Sequence, residues 1–297
     1  MVVQRRSFSL GIFYMTLSAT SFSFAYLFAK LAADEMNLAL LIFLRFLIPF
    51  ALIVLFYIWK KQSIKTPYLR VHALRAFFVM VSQYSIFYYL TKEPLMNAAM
   101  LLNTSPIFIP LLEWIFLNYR IPKSTWISIA IGVVGVFLIL QPGISLITPF
   151  SFFGLLAGIT QAASQVIYGI NVRREPTELN LFYLYCFGTI FSLIPLPIIF
   201  WKYRSISLFF ELKPDLLLFL FLLSFANVAN QYFRGEAYQQ KKPSTLSVFL
   251  YLSVLISALF DWSIFGREPD LYSIIGAILI ILGGASKIFL RYLFLKK

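Results

Sequence analysis

The sequence predicts an all-α integral membrane protein with ten transmembrane helices, laid out as two inverted five-helix repeats. Three observations carry that expectation. Of 297 residues, 60% are apolar and 12% are charged, against about 45–50% and about 25% in soluble globular domains. The apolar residues gather into ten runs, each close to the roughly 20 residues that a helix needs to cross hydrocarbon. Segments half a chain apart also resemble one another. A water-soluble fold of this size cannot hide so much Phe, Leu and Ile, because most of its surface must face water. An ordinary cytosolic enzyme, a nucleic-acid-binding module and a disordered chain are therefore excluded. The net charge of +13 sits in short gaps between apolar runs, which is the membrane pattern rather than a nucleic-acid footprint.

The runs fall at 8–32, 38–59, 71–90, 95–118, 124–140, 152–172, 179–200, 215–235, 244–265 and 271–292. The first follows Arg5 and Arg6 and is too long for a cleavable signal peptide, so it reads as a span. Lys60 to Arg70 separates the second and third. Gln141-Pro142-Gly143 closes the fifth, and Gly266-Arg267-Glu268-Pro269 closes the ninth. The runs are too long and too weakly alternating for barrel strands. With the N-terminus placed in the cytoplasm, 17 Lys and Arg fall in inner segments and six in outer ones, Arg45 and Arg75 lying inside spans. That bias puts both termini inside. Trp59 and Trp201 sit at span ends, as interfacial anchors do. One cysteine, Cys186, excludes internal disulfides, and one histidine, His72, excludes a multi-histidine metal site.

The segment 106–118 aligns with 254–266, so that Glu113-Trp114 falls on Asp261-Trp262. The offset is 148 residues, and Gly135 falls on Gly283 at the same offset. Pro94 matches Pro243, and Lys92 matches Lys241, one residue out of step. The halves are thus 1–145 (spans 1–5) and 146–297 (spans 6–10). Five is odd, so the second half enters the membrane inverted. Inverted repeats are a feature of many secondary transporters, in which two halves rock about one central site.

At these residues the chain resembles the drug/metabolite transporter superfamily, in its EamA-like ten-helix branch. The marks are Leu44-Arg45-Phe46, Pro94, Ser105-Pro106 followed by Trp114, and the stretches from Trp126 to Gly135 and from Ile274 to Gly283. The chain departs from the family pattern at Asn118-Tyr119 and Gly266-Arg267, where Gly-Glu is usual, at Val254 for a proline and at Ser21 for a tryptophan. The resemblance implies a multi-pass protein of the bacterial inner membrane. It implies export or uptake of amino acids and other small metabolites without ATP. No cofactor or metal is expected.

A charge in hydrocarbon costs at least about 2.5–3.5 kcal/mol on insertion scales, so intramembrane charges face the bundle interior or water. Arg45 and Asp261 lie at similar depth near the outer side and are expected to pair. Arg75 and Glu113, both near the inner side, are expected to pair too. Gating or coupling is one role for these four; snorkelling or a structural ion pair is the other. Trp114 and Trp262 either anchor the spans or help to close gates. Pro106 removes a backbone hydrogen bond near midspan and is expected to form a hinge, or a tolerated kink.

Polar residues concentrate in spans 1, 3, 4, 6, 8 and 9, which are expected to line a wet cavity, with spans 5 and 10 packed outside. The candidate substrate-binding residues are Tyr26, Gln83, Tyr84, Asn103, Gln161, Gln165, Tyr168, Asn227, Gln231 and Tyr251. Gln161 and Gln165 share one helix face, as do Asn227 and Gln231. Hydrogen bonding between helices is the other use of such side chains. The glycines at 132, 135, 276, 283 and 284 read as packing positions.

The leading expectation is a secondary-active or facilitative carrier working by alternating access, with an amino acid or related compound as cargo. Uptake of S-adenosylmethionine or a nucleotide-like metabolite is the alternative, since sequences of this resemblance do both. A membrane-embedded transferase normally needs clustered acids or histidines at an interface. His72 has no acidic neighbour in sequence, so no enzyme is expected. The expected partners are the small-molecule substrate and the lipid bilayer, without nucleic acid, in a monomer or homodimer.

Overall fold

The computed structural model describes residues 7–33, 38–90, 92–93, 95–141, 148–194, 214–266 and 268–295. Pro94, Trp201, Pro142, Gly143, Arg267, Arg5 and Arg6 lie outside the described residues. The described chain is helical, with no strand among the described residues. A helix satisfies every interior N–H and C=O within its own segment, which hydrocarbon demands. The helices are α1 (Phe8–Ala33), α2 (Leu38–Lys60), α3 (Leu69–Leu90), α4 (Leu95–Leu102), α5 (Ser105–Leu117) and α6 (Lys123–Leu140). The second half holds α7 (Ser151–Asn171), α8 (Thr177–Leu193), α9 (Pro214–Gln240), α10 (Pro243–Leu246), a 3₁₀ segment (Ser247–Tyr251), α11 (Leu252–Phe265) and α12 (Leu271–Leu295).

Among the described residues, seven helical stretches are long and apolar enough to cross a membrane. The helices α3, α8 and α12 stand in the order of the third, seventh and tenth expected spans. The fourth and ninth expected spans are each broken. The fourth divides into α4 and α5 at Asn103-Thr104, and the ninth passes through the 3₁₀ segment before α11 begins at Leu252. Tyr251, the last residue of that segment, lies 148 positions after Asn103. The ends match as well. Asn118 closes α5 and Gly266 closes α11, both in left-handed backbone, with φ of 52° and 66°. The repeat seen in sequence is therefore repeated in how the chain starts and stops its helices.

Pro106 is not a midspan kink. It stands in the first turn of α5, where its missing N–H would have found no helical partner in any case. Pro122 and Pro176 likewise stand in extended backbone immediately before α6 and α8.

Helix pairing is reciprocal between the halves. The helix α1 packs along α9, and α7, its counterpart, packs along α3. In the same way α1 touches α11 and the 3₁₀ segment, as α7 touches α4 and α5. Two pairs map onto themselves: α2 with α8, and α6 with α12. The α2–α8 seam is aromatic, with Phe50, Tyr57, Phe182 and Tyr185 in one cluster with Phe46. The α6–α12 seam is backbone against backbone. A Cβ at Gly135 would meet the Gly276 carbonyl at 2.6 Å, and a Cβ at Gly276 would meet that of Gly135 at 2.6 Å. Between lipid-embedded helices such close packing replaces the hydrophobic drive available in water. The fifth and tenth spans, α6 and α12, thus pack on each other.

Candidate substrate site between the halves

Two helices carry the buried polar centre. On α7, Gln161, Ser164, Gln165 and Tyr168 recur at i, i+3, i+4 and i+7. On α9, Asn227, Asn230, Gln231 and Arg234 recur in the same register, with Tyr238 one turn further on. That spacing places each set on one helix face. Tyr168 and Tyr238 are fully buried, and Gln165, Asn230, Asn227 and Arg234 are buried too. The faces meet: Tyr238 donates from its hydroxyl to Gln165 Oε1 at 3.2 Å, and Tyr168 donates to the Gln231 carbonyl at 2.7 Å.

Three guanidinium groups enter this centre from α2, α3 and α9. Arg45 donates from Nη2 to Asn227 Oδ1 at 3.2 Å. Arg75 donates from Nη2 to Gln231 Oε1 at 2.9 Å and from Nη1 to the Asn180 carbonyl at 3.3 Å. Its Cζ lies 3.4 Å from the centre of the Tyr168 ring, a cation–π contact worth about 0.5–2 kcal/mol. Arg234 donates from Nε to Ser18 Oγ at 3.2 Å, and Asn230 donates to the Ser18 carbonyl at 2.7 Å. Tyr185 of α8 lies within electrostatic reach of all three arginines. Among the described residues, no carboxylate lies at ion-pair distance from any of them.

The acids are engaged elsewhere. Glu113, buried on α5, accepts from the Ser244 hydroxyl. It lines a cavity of about 180 Å³ with Tyr119, Arg173, Arg174 and Lys242, whose Nζ lies 3.1 Å from the Tyr119 ring centre. Glu175, in the connection from α7 to α8, takes His72 Nε2 at 2.7 Å and the Thr66 hydroxyl at 2.5 Å. The His72 ring stacks on Tyr183 at 4.6 Å. His72 thus has an acidic partner that lies far along the sequence. Glu236 accepts from the Thr177 hydroxyl at 2.7 Å and from Gln239.

The expected pairs do not form: Arg45 turns to Asn227 and not to Asp261, and Arg75 to Gln231 and Tyr168 and not to Glu113. Similar depth orders residues along the bilayer normal but leaves their direction around the helix open. Trp114 and Trp262 are 58% and 51% exposed, on the outside of the bundle. Tyr26 lies at the surface of α1. Asp261 is half-buried near the end of α11. Tyr84 packs in the aromatic cluster beside α8, and Gln83 is half-buried next to it. Asn103 spends its amide on the Ala99 carbonyl at 2.8 Å, closing α4. Gln161 Oε1 and the Tyr251 hydroxyl are buried without a hydrogen-bond partner. Arg234, Tyr185 and Tyr238 belong to the centre and escaped the candidate residues read from sequence. Arg234 is one of the 17 Lys and Arg that the charge count places on the inner side, and its register with Asn227 and Gln231 carries the signal.

A bundle of membrane-length helices, paired reciprocally around a buried polar centre, has the build of a multi-pass membrane transporter. The chain belongs to the EamA-like transporter family, whose model matches residues 9–141 and again 149–285. It is 26% identical over 277 residues to the S-adenosylmethionine uptake transporter of Rickettsia bellii (strain RML369-C), covering 93% of this chain and 92% of the relative. It is 25% identical over 275 residues to the pseudopaline exporter CntI of Pseudomonas aeruginosa (strain UCBPP-PA14), covering 91% and 93%. The riboflavin transporter of Brucella anthropi is 26% identical over 234 residues, covering 77% and 79%. A crystal structure with 19% sequence identity matches with a TM-score of 0.75, covering 97% of this chain and all of the other, and shares its fold.

Proposed function

We propose that the chain is a secondary carrier that moves a small metabolite across the bacterial inner membrane by alternating access, with both termini cytoplasmic. The observation that carries this reading is the reciprocal helix pairing, with its matched breaks at Asn103 and Tyr251, around one buried polar centre. Two like halves of opposite sense can open that centre to either side in turn. Arg45, Arg75, Gln165, Tyr168, Asn227, Gln231, Arg234 and Tyr238 hold the cargo. The cargo is an amino acid or a related compound. A second reading, uptake of S-adenosylmethionine, is favoured by the name of the Rickettsia relative.

Counterflow in proteoliposomes tests both. Vesicles loaded with a mixed metabolite pool would be offered labelled amino acids, nucleotides and S-adenosylmethionine outside, without ATP. Uptake of one label above protein-free vesicles is expected and names the cargo class. Folded protein that exchanges no label would count against the carrier reading.

A further inference from the structure

We propose that Arg45, Arg75 and Arg234 form a receptor for one anionic group of the cargo, a carboxylate or a phosphate. The cargo is therefore an acid. This inference rests on the carrier reading above and adds the chemical class of what is carried.

The first ground is convergence. The helices α2 and α3 each deliver a guanidinium group to one stripe of α9, where Asn227 takes Arg45 and Gln231 takes Arg75, and the helix's own Arg234 follows at the next turn. The second is the lack of a counter-charge. Every partner these arginines have is neutral: two amides, a backbone carbonyl, a serine hydroxyl and an aromatic face. Buried charges in proteins are ordinarily paired. Here three nearby acids, Glu113, Glu175 and Glu236, are bound to Ser244, to His72 and Thr66, and to Thr177. These three carboxylates are thus engaged away from the arginines.

The third ground is unused hydrogen-bonding capacity. Arg75 Nε and Asn227 Nδ2 are buried donors with no partner. A guanidinium carries five N–H groups and accepts nothing, so an acceptor completes the set, and one bearing negative charge also balances the buried cations. Carboxylate and phosphate oxygens both fit the planar fork of arginine. Among the described residues nothing supplies such a group, and a cargo would.

The test uses the full-length protein in detergent, with matched probes: glutamate against glutamine, and glycerol 3-phosphate against glycerol. The acidic member of at least one pair is expected to raise the unfolding temperature, and its uncharged partner is not. The pair that responds tells carboxylate from phosphate. Arg75→Gln and Arg234→Gln are each expected to weaken the half-saturating concentration about 10-fold or more. Arg75→Lys keeps the charge and is expected to retain part of the effect. Equal stabilisation by acid and uncharged partner overturns the proposal, and so does a wild-type protein that no acid stabilises. Both outcomes are read on wild type, so they hold even if a variant fails to fold. Counterflow separates the two readings. Exchange confined to uncharged or amine cargoes removes the anion receptor and leaves the carrier. Acid-selective stabilisation with no counterflow of any label keeps the receptor and removes the carrier.

Discussion

Arg234 shows how much one side chain owes to register. It stands seven residues after Asn227 and four before Tyr238, on the stripe of α9 that faces α1 and α7. In the sequence it counts among the 17 inner Lys and Arg, although the eighth apolar run reaches 235. The helix runs on to Gln240, so the residue is buried. Arg45 and Arg75 were legible as intramembrane charges, but their partners were not, since hydrophobicity carries no azimuth. The structure separates Arg45 from Asp261, so Arg45→Ala and Asp261→Ala are expected to act independently. Arg45→Ala should slow counterflow about 10-fold while insertion stays intact, for loss of a charged hydrogen bond. The double variant should equal the combined single effects within about 0.5 kcal/mol; a larger coupling would mean that the two residues interact after all. Asp270, outside the spans, accepts from the Ser273 N–H at 2.9 Å and from Gln141 Nε2 at 2.9 and 2.7 Å. These bonds favour its ionised form and hold its pKa below the ordinary 3.8. The stability it adds is therefore present above the unfolded-state value and lost as pH falls through the folded one. Unfolding of Asp270→Asn and wild type should converge in acid and diverge toward neutral pH.

At the scale of the helix, existence was easy to read and continuity was not. The apolar runs marked the helices because a lipid-embedded segment has no other way to satisfy its backbone. The break in the fourth span had a signal in Ser105-Pro106. The break in the ninth had none, since neither proline nor glycine stands at Tyr251. There the chain tightens into 3₁₀ over five residues instead. The α6–α12 seam was legible from its glycines, and it sets a sharp expectation. Gly135→Leu would drive a side chain into the Gly276 carbonyl and into Ile280. It should lower stability by about 1–3 kcal/mol, the usual cost of overpacking. Thermal unfolding in detergent measures this, and unchanged unfolding would show that the two helices do not meet there.

Across the whole molecule, the two self-paired seams do different work. The α2–α8 seam borders the arginine centre through Arg45 and Tyr185, so on the carrier reading the centre would open through it. Among the described residues, the α6–α12 seam is packed by glycines and apolar side chains, with a hydroxyl pair, Ser128 and Ser286, at 3.0 Å. It suits a pivot that stays closed. In a Cys186→Ser background, cysteines at 46 and 188 joined by a short cross-linker are expected to stop transport. Those positions touch, since a Cβ at Gly188 would meet the Phe46 ring at 2.4 Å. Cysteines at 135 and 276 joined in the same way should leave most of the rate. The reverse pattern would assign the pivot to the other seam.

Three arginines with no carboxylate partner among the described residues also give the proposed carrier an electrical side. A charge that crosses the full membrane field exchanges about 2.3 kcal/mol per 100 mV, and a rocking centre traverses part of that field. On the carrier reading, reorientation of that centre without cargo would be voltage-dependent, and an inside-negative potential would favour the state facing the cytoplasm. An acid seated among the arginines would cancel part of their charge and lighten that hold. Voltage would then set the pace of the unloaded return, while the direction of net flow would follow from the cargo's own gradient and charge, because the protein's charges return to where they began.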